Sequence, residues 1–102
     1  MASRLKLHEE LCDILGSRNV YFQPPESIKM IYPCIVYYKS GIYTNDANDN
    51  TYKKVNQYLL TVIDRDPDTD IHDKILDHFT MCSFDRVYIS DNLNHYVLNL
   101  YY

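Results

Sequence analysis

Apolar positions between residues 3 and 15 recur at helical spacing: Leu7, Leu11, Ile14 and Leu15 share a stripe, and Glu9, Glu10 and Asp13 fall opposite. Ser3 stands where an N-cap is expected and Gly16 where a helix stops. The period then shortens. Val20-Tyr21-Phe22-Gln23 reads as a short strand closed by Pro24-Pro25, which cannot continue a ladder. A second strand, Cys34 to Lys39, follows Pro33 and is rich in β-branched and aromatic side chains. Residues 40–51 are polar and predict a loop. From about Lys53 to Asp64 the chain alternates again, with Tyr58, Leu60 and Val62 set against Leu59, Thr61 and Ile63. A second helix is expected after Asp66-Pro67, with Ile71, Ile75, Leu76 and Phe79 as its apolar stripe and Asp68 and Asp70 at its positive end. Two strands close the chain, near 84–90 and 95–102, joined by a turn at Asp91-Asn92-Leu93-Asn94. The order α-β-β-β-α-β-β, with short links, predicts an α+β fold: a mostly antiparallel sheet with two helices packed on one face. No internal repeat or linker interrupts it, so residues 1–102 read as one domain.

Two acidic segments invite a metal-binding reading, and both fail it. In Asp64-Arg65-Asp66-Pro67-Asp68-Thr69-Asp70 an aspartate falls at every second position, as at the start of a calcium loop. That loop needs Gly at its sixth position and Glu at its twelfth. Counted from Asp64 these are Thr69 and Ile75; counted from Asp66 they are Ile71 and Asp77. The segment therefore reads as a strand end followed by a helix start whose acids complement the dipole. The loop Asn45-Asp46-Ala47-Asn48-Asp49-Asn50 fails likewise, with Thr51 sixth and Gln57 twelfth from Asp46, and reads as a surface turn that reaches toward something. His72 and His78 lie off a common ligating face, His8 and His95 are isolated, and no zinc pattern exists. Cys34 sits beside Ile35 and Val36, where a free thiol packs as a small core residue. No nucleophile elbow, phosphate loop or dinucleotide fingerprint is present. The expectation is a chain with no catalytic set, no metal and no cofactor.

Composition narrows the classes further. Eleven tyrosines and only two glycines stand among 102 residues. Tyrosine suits half-buried sheet faces and interfaces, because its ring is apolar and its hydroxyl needs a partner. With both faces of the last strand aromatic, some tyrosines are expected in the core and others against a neighbouring subunit. A net charge of −4 with no basic run beyond Lys53-Lys54 argues against nucleic-acid binding. Three cysteines without a C-x-x-C pair, and a first segment that reads as an amphipathic helix with no leader, point to a reduced cytosol. No apolar run is long enough to span a membrane.

Several segments together resemble small proteins of the neck and tail modules of tailed bacteriophages and prophages. They are Val20-Tyr21-Phe22-Gln23-Pro24-Pro25, Met30-Ile31-Tyr32-Pro33-Cys34-Ile35-Val36-Tyr37, Ala47-Asn48-Asp49-Asn50 leading to Tyr52, Tyr58 through Asp70, and Asp91-Asn92-Leu93-Asn94-His95-Tyr96. The family resembled is the tail terminator, also called the tail completion or head–tail joining protein. The resemblance implies a small α/β domain that assembles, as a hexameric ring of identical copies, on top of the finished tail tube in the virion neck. Such a ring is put together in the bacterial host cytoplasm. Its partners are then the tail tube protein and the head–tail connector or stopper protein, and genomic DNA passes through without specific binding. The negative charge fits that passage, since it removes the attraction that would hold phosphates. Contact residues are expected at Tyr43, Asp46, Asn48, Asn50 and Tyr52 around the polar loop, and at Tyr88 and Tyr101 on the last strands. Two other readings stay open: a head-completion or stopper protein of the same module, and an intracellular protein-binding module that grips through the Asn/Asp loop.

Overall fold

The computed structural model describes residues 4–46 and 52–102. Its elements are α1 (Arg4–Leu15), β1 (Val20–Phe22), β2 (Cys34–Asp46), β3 (Tyr52–Asp64), α2 (Ile71–His78), β4 (Cys82–Ser90) and β5 (Leu93–Tyr101). The five strands form one sheet in the order β1-β2-β3-β5-β4. Only β1 and β2 run parallel; the other neighbours are antiparallel. The α+β class, the element order and the largely antiparallel sheet are those the sequence predicts.

The alternation along β3 decides which way the sheet faces. Tyr58, Leu60 and Val62 are all within 1% of complete burial, and their partners Leu98, Leu100, Tyr37 and Ile35 are buried with them. Against this row pack Leu7, Leu11 and Cys12 of α1 and Ile71 and Ile75 of α2, with Phe79 just beyond it. Tyr37 is the polar hub of this core. Its hydroxyl lies 2.8 Å from His8 Nδ1 and accepts from Arg4 at 3.2 Å, which satisfies a phenol that is otherwise buried. The Arg4 guanidinium also lies 4.2 Å from the centre of the Phe22 ring, so α1 is fastened to both β1 and β2.

Turn chemistry explains how the elements end. Gly16 stops α1 at φ +82° and donates its N–H to the Cys12 carbonyl. Asp91 and Asn92 both sit at positive φ (53° and 62°), as a two-residue hairpin turn needs, so β4 and β5 are longer than the pattern suggested. Ser3, the expected N-cap, lies outside the described residues.

Two sequence expectations are corrected. Residues 40–46, read as loop because they are polar, continue β2 and pair with β3 as far as Asp46 opposite Tyr52. The register shifts between Lys39 and Gly41, and this bulge lets the ladder carry on past Ser40. Gly41 fits there because an added Cβ would stand 3.3 Å from Gln57 Oε1. The remainder of the expected loop, 47–51, lies outside the described residues. The second correction concerns α2, which starts at Ile71 and not near Pro67. The aspartate run ahead of it folds as successive Asx turns: the Asp64 carboxylate accepts from the Asp66 N–H at 3.1 Å, and Asp66 from the Asp68 N–H at 2.9 Å.

Because Leu60 and Leu98 are fully buried between sheet and helices, Leu60→Ala and Leu98→Ala should each lower the unfolding free energy by about 2–5 kcal/mol in urea titrations. Ile89→Ala, at a side chain 73% exposed, should change it by no more than about 0.5 kcal/mol.

Candidate interaction surface

Two helices cannot cover five strands, and what they leave bare is the candidate site. Strand β4 lies at the sheet edge, and every residue from Ser83 to Ser90 is exposed. Residues paired across a ladder point to the same face. Phe84 opposite Leu98, Val87 opposite Tyr96 and Ile89 opposite Asn94 therefore stand in the helix-side row, yet Phe84 and Val87 are about half exposed and Ile89 more so. A register shift between Phe84 and Arg86 divides the strand. A nine-residue edge with an uncovered apolar row is what β proteins blunt unless another chain pairs with it.

The second face of the sheet is aromatic. Its β1 end is crossed by the connection from β1 to β2: Tyr21, paired with Val36, accepts at its hydroxyl from the Ile31 N–H at 3.3 Å. Beyond that crossing stand Tyr38, Tyr43, Leu59, Tyr101 and Tyr88. Tyr43 and Tyr101 meet edge to face at 6.1 Å between ring centres. Tyr88 stacks on its cross-strand partner His95 at 4.6 Å, the planes 9° apart. Arg86 lies 5.9 Å from the Tyr88 ring. Tyr38, Tyr43 and Tyr88 are each 43–53% exposed. The face thus carries a Tyr43–Tyr101 pair at one end and Tyr88 with Arg86 and His95 at the other, residue types enriched in interface cores.

The third feature is an arm. Strand β5 pairs with β3 only from Gln57 to Asp64, and β1 covers β2 only from Ile35 to Tyr37. Residues 41–46 and 52–56 thus project as a two-stranded ribbon, with Ile42 54% exposed on the helix-side register and Tyr43 on the other. The molecule measures 51 × 25 × 22 Å. A two-stranded ribbon is marginal alone in water.

Three of the expected contact residues, Tyr43, Tyr88 and Tyr101, are brought to one face. Asp46 and Tyr52 pair through their backbones at the far end of the ribbon, while Asn48 and Asn50 lie outside the described residues. Sequence reasoning passed over Phe84, Val87, Ile89 and Ile42. The uneven spacing 84, 87, 89 was the available signal, since a step of three inside an alternating strand marks a bulge.

Other polar clusters join elements together. His72 stacks on Tyr96 at 4.0 Å between ring centres, and the Tyr96 hydroxyl donates to the Pro67 carbonyl. Burial pushes the Cys34 thiol up to about 12 and Cys82 up to about 11, so both stay protonated at neutral pH. Among the described residues, no group of three or more His, Cys, Asp or Glu could hold a metal ion, and no helix is long and apolar enough to cross a membrane. No protein-family model matches the chain, and neither does any curated protein.

The strand end that carries Tyr101 is held by the next residue. Tyr102 donates its N–H to the Asn56 carbonyl and its hydroxyl to the Glu10 carboxylate, whose other oxygen lies 3.1 Å from His78 Nε2. The bond from Tyr102 is the main reason that the Glu10 carboxyl titrates below its ordinary range. A carboxyl with a lowered folded pKa stabilises the fold above its unfolded value, and that stability is lost as pH falls through the folded value. Tyr102→Phe should therefore lower the urea midpoint at neutral pH, by about 1 kcal/mol in free energy. It should also flatten the decline in stability between neutral pH and about pH 3. A variant with the same acid-side slope as the parent would show that the bond contributes nothing.

Proposed function

We propose that the chain is a structural virion protein of a tailed phage or prophage: a tail terminator. In this reading copies of it form a ring, a hexamer by family resemblance, that caps the tail tube in the neck and ends tube polymerisation. The same ring presents the surface on which the head–tail connector docks. One observation carries the reading. The sheet has two unsatisfied edges on opposite sides, β4 and the outer margin of β2, which suits repeated association of identical copies better than enclosure of a small molecule. The tyrosine face adds contact chemistry at low entropic cost, because each side chain has few rotatable bonds. The acidic balance, −4 overall, suits a passage through which DNA slides.

The experiment is negative-stain imaging of the purified chain mixed with the tube protein encoded beside it. Rings, or tubes of fixed length with a cap at one end, are the expected result. A protein that never touches tubes and leaves their length distribution unchanged would sink the tail assignment.

A further inference from the structure

We infer that the copies join edge to edge: the outer margin of β2 in one copy, from Ser40 to Asp46, takes up β4 of the next and continues the sheet across the seam. The inference deepens the ring reading by naming its contact, but it stands on the edges alone.

Among the described residues, each edge lacks a partner. On the outer side of β2 the short β1 ends at Phe22, and Gln23 finishes it, donating its N–H to the Tyr37 carbonyl and accepting from the Lys39 N–H through its side chain. From Ser40 to Asp46 no strand lies beside β2 among the described residues. Opposite, the whole of Cys82–Ser90 has a partner strand only on its β5 side among the described residues. Each edge offers unpaired N–H and C=O groups over a comparable length, and neither is blunted by proline.

Strand polarity suits the pairing. Strands β2 and β4 both flank the β3/β5 pair, β2 antiparallel to β3 and β4 parallel to it, so within one copy β4 runs antiparallel to β2. A neighbour standing in the same orientation therefore offers its β4 antiparallel to β2, the more stable ladder. In the fold Arg86 is level with Val97, Thr61 and Val36, so engaging β2 beyond Ser40 staggers neighbours by about six residues, or about 20 Å. A closed ring takes up such a stagger as strand tilt, as barrels do.

The side chains of the two edges match as well. On the helix-side face, Phe84, Val87 and Ile89 come beside the exposed Ile42; on the other, Arg86 and Tyr88 come beside Tyr38 and Tyr43. Charge agrees too. The helix packed over β1 and β2 brings Arg4 to that side, where Lys39 is also exposed. The helix that leads into β4, α2, carries exposed Asp73 and Asp77, with Lys74 already paired to Asp70, and Asp85 lies on the strand itself. Asp73, Asp77 and Asp85 outnumber Arg86 on the β4 margin and come toward Lys39 and Arg4, and the contact is head-to-tail, so it repeats beyond two copies.

Complementation tests this directly by sedimentation velocity, with concentration raised to the solubility limit. The parent chain should form species larger than a dimer. Ile42→Glu on the β2 margin and the double variant Val87→Glu/Ile89→Glu on β4 should each sediment as monomers, with unchanged circular dichroism melts because all three side chains are exposed. Mixed one to one, they should form a heterodimer and nothing larger, since one intact margin of each kind remains. A parent that stays monomeric overturns the inference. So does an Ile42→Glu variant that still dimerises, which would mean β4 pairs with β4, and so does a mixture that stays monomeric. Self-association through these edges without any effect on tubes would remove the tail assignment and leave the seam. Tube capping by both variants at parental efficiency would do the reverse.

Discussion

The constraint on which the structure depends is coverage. The Tyr58-Leu60-Val62 row of the central strand must be shielded from water, and a twelve-residue and an eight-residue helix supply the shield. Burying a side chain of that size is worth about 1.5–3 kcal/mol, so residues of both helices join that row in one core cluster, α1 lying against β1 and β2. The consequences run outward. Strand β4 is left with half-exposed apolar groups, the ribbon extends past the body, and among the described residues the second face keeps only the β1–β2 connection above one end.

Function follows from what remains bare. The polar clusters, His8 with Tyr37 and Arg4, and Glu10 with Tyr102 and His78, tie one element to another, and the first also satisfies the buried Tyr37 hydroxyl. Recognition chemistry instead gathers at the margins and on the tyrosine face, where backbone donors, aromatic rings and single charges are presented together. These uncovered margins are what the proposal of an assembly role rests on.

The sequence showed most of the fold through its periods. Both helical stripes, the alternation of β3 and the punctuation at Gly16, Pro24-Pro25 and Asp91-Asn92 are local signals, and local signals survive without coordinates. Two properties were hidden because they depend on neighbours. Residues 40–46 carry Ser, Gly, Thr, Asn and Asp, which by composition is a loop; pairing across the bulge to β3 overrides it. Phe84, Val87 and Ile89 read as a half-buried strand, and nothing in their own spacing says that the helices stop short of them. Of the expected contact residues, the tyrosines were singled out by their residue type, whereas their gathering on one face depends on register.

The bulge in β4 has a further consequence. A flat apolar edge recruits any other strand, including those of unfolded chains, and so risks fibrils. Here the break between Phe84 and Arg86 sets Asp85 and Arg86 in the middle of the strand, parting Phe84 from Val87 and Ile89. An intruding strand with a regular pleat fits one half and meets charge and misregister at the other. Charged residues that interrupt a hydrophobic strand in this manner act as gatekeepers. The edge is then proof against casual pairing while still open to a strand carrying its own irregularity, such as the one beside Ser40.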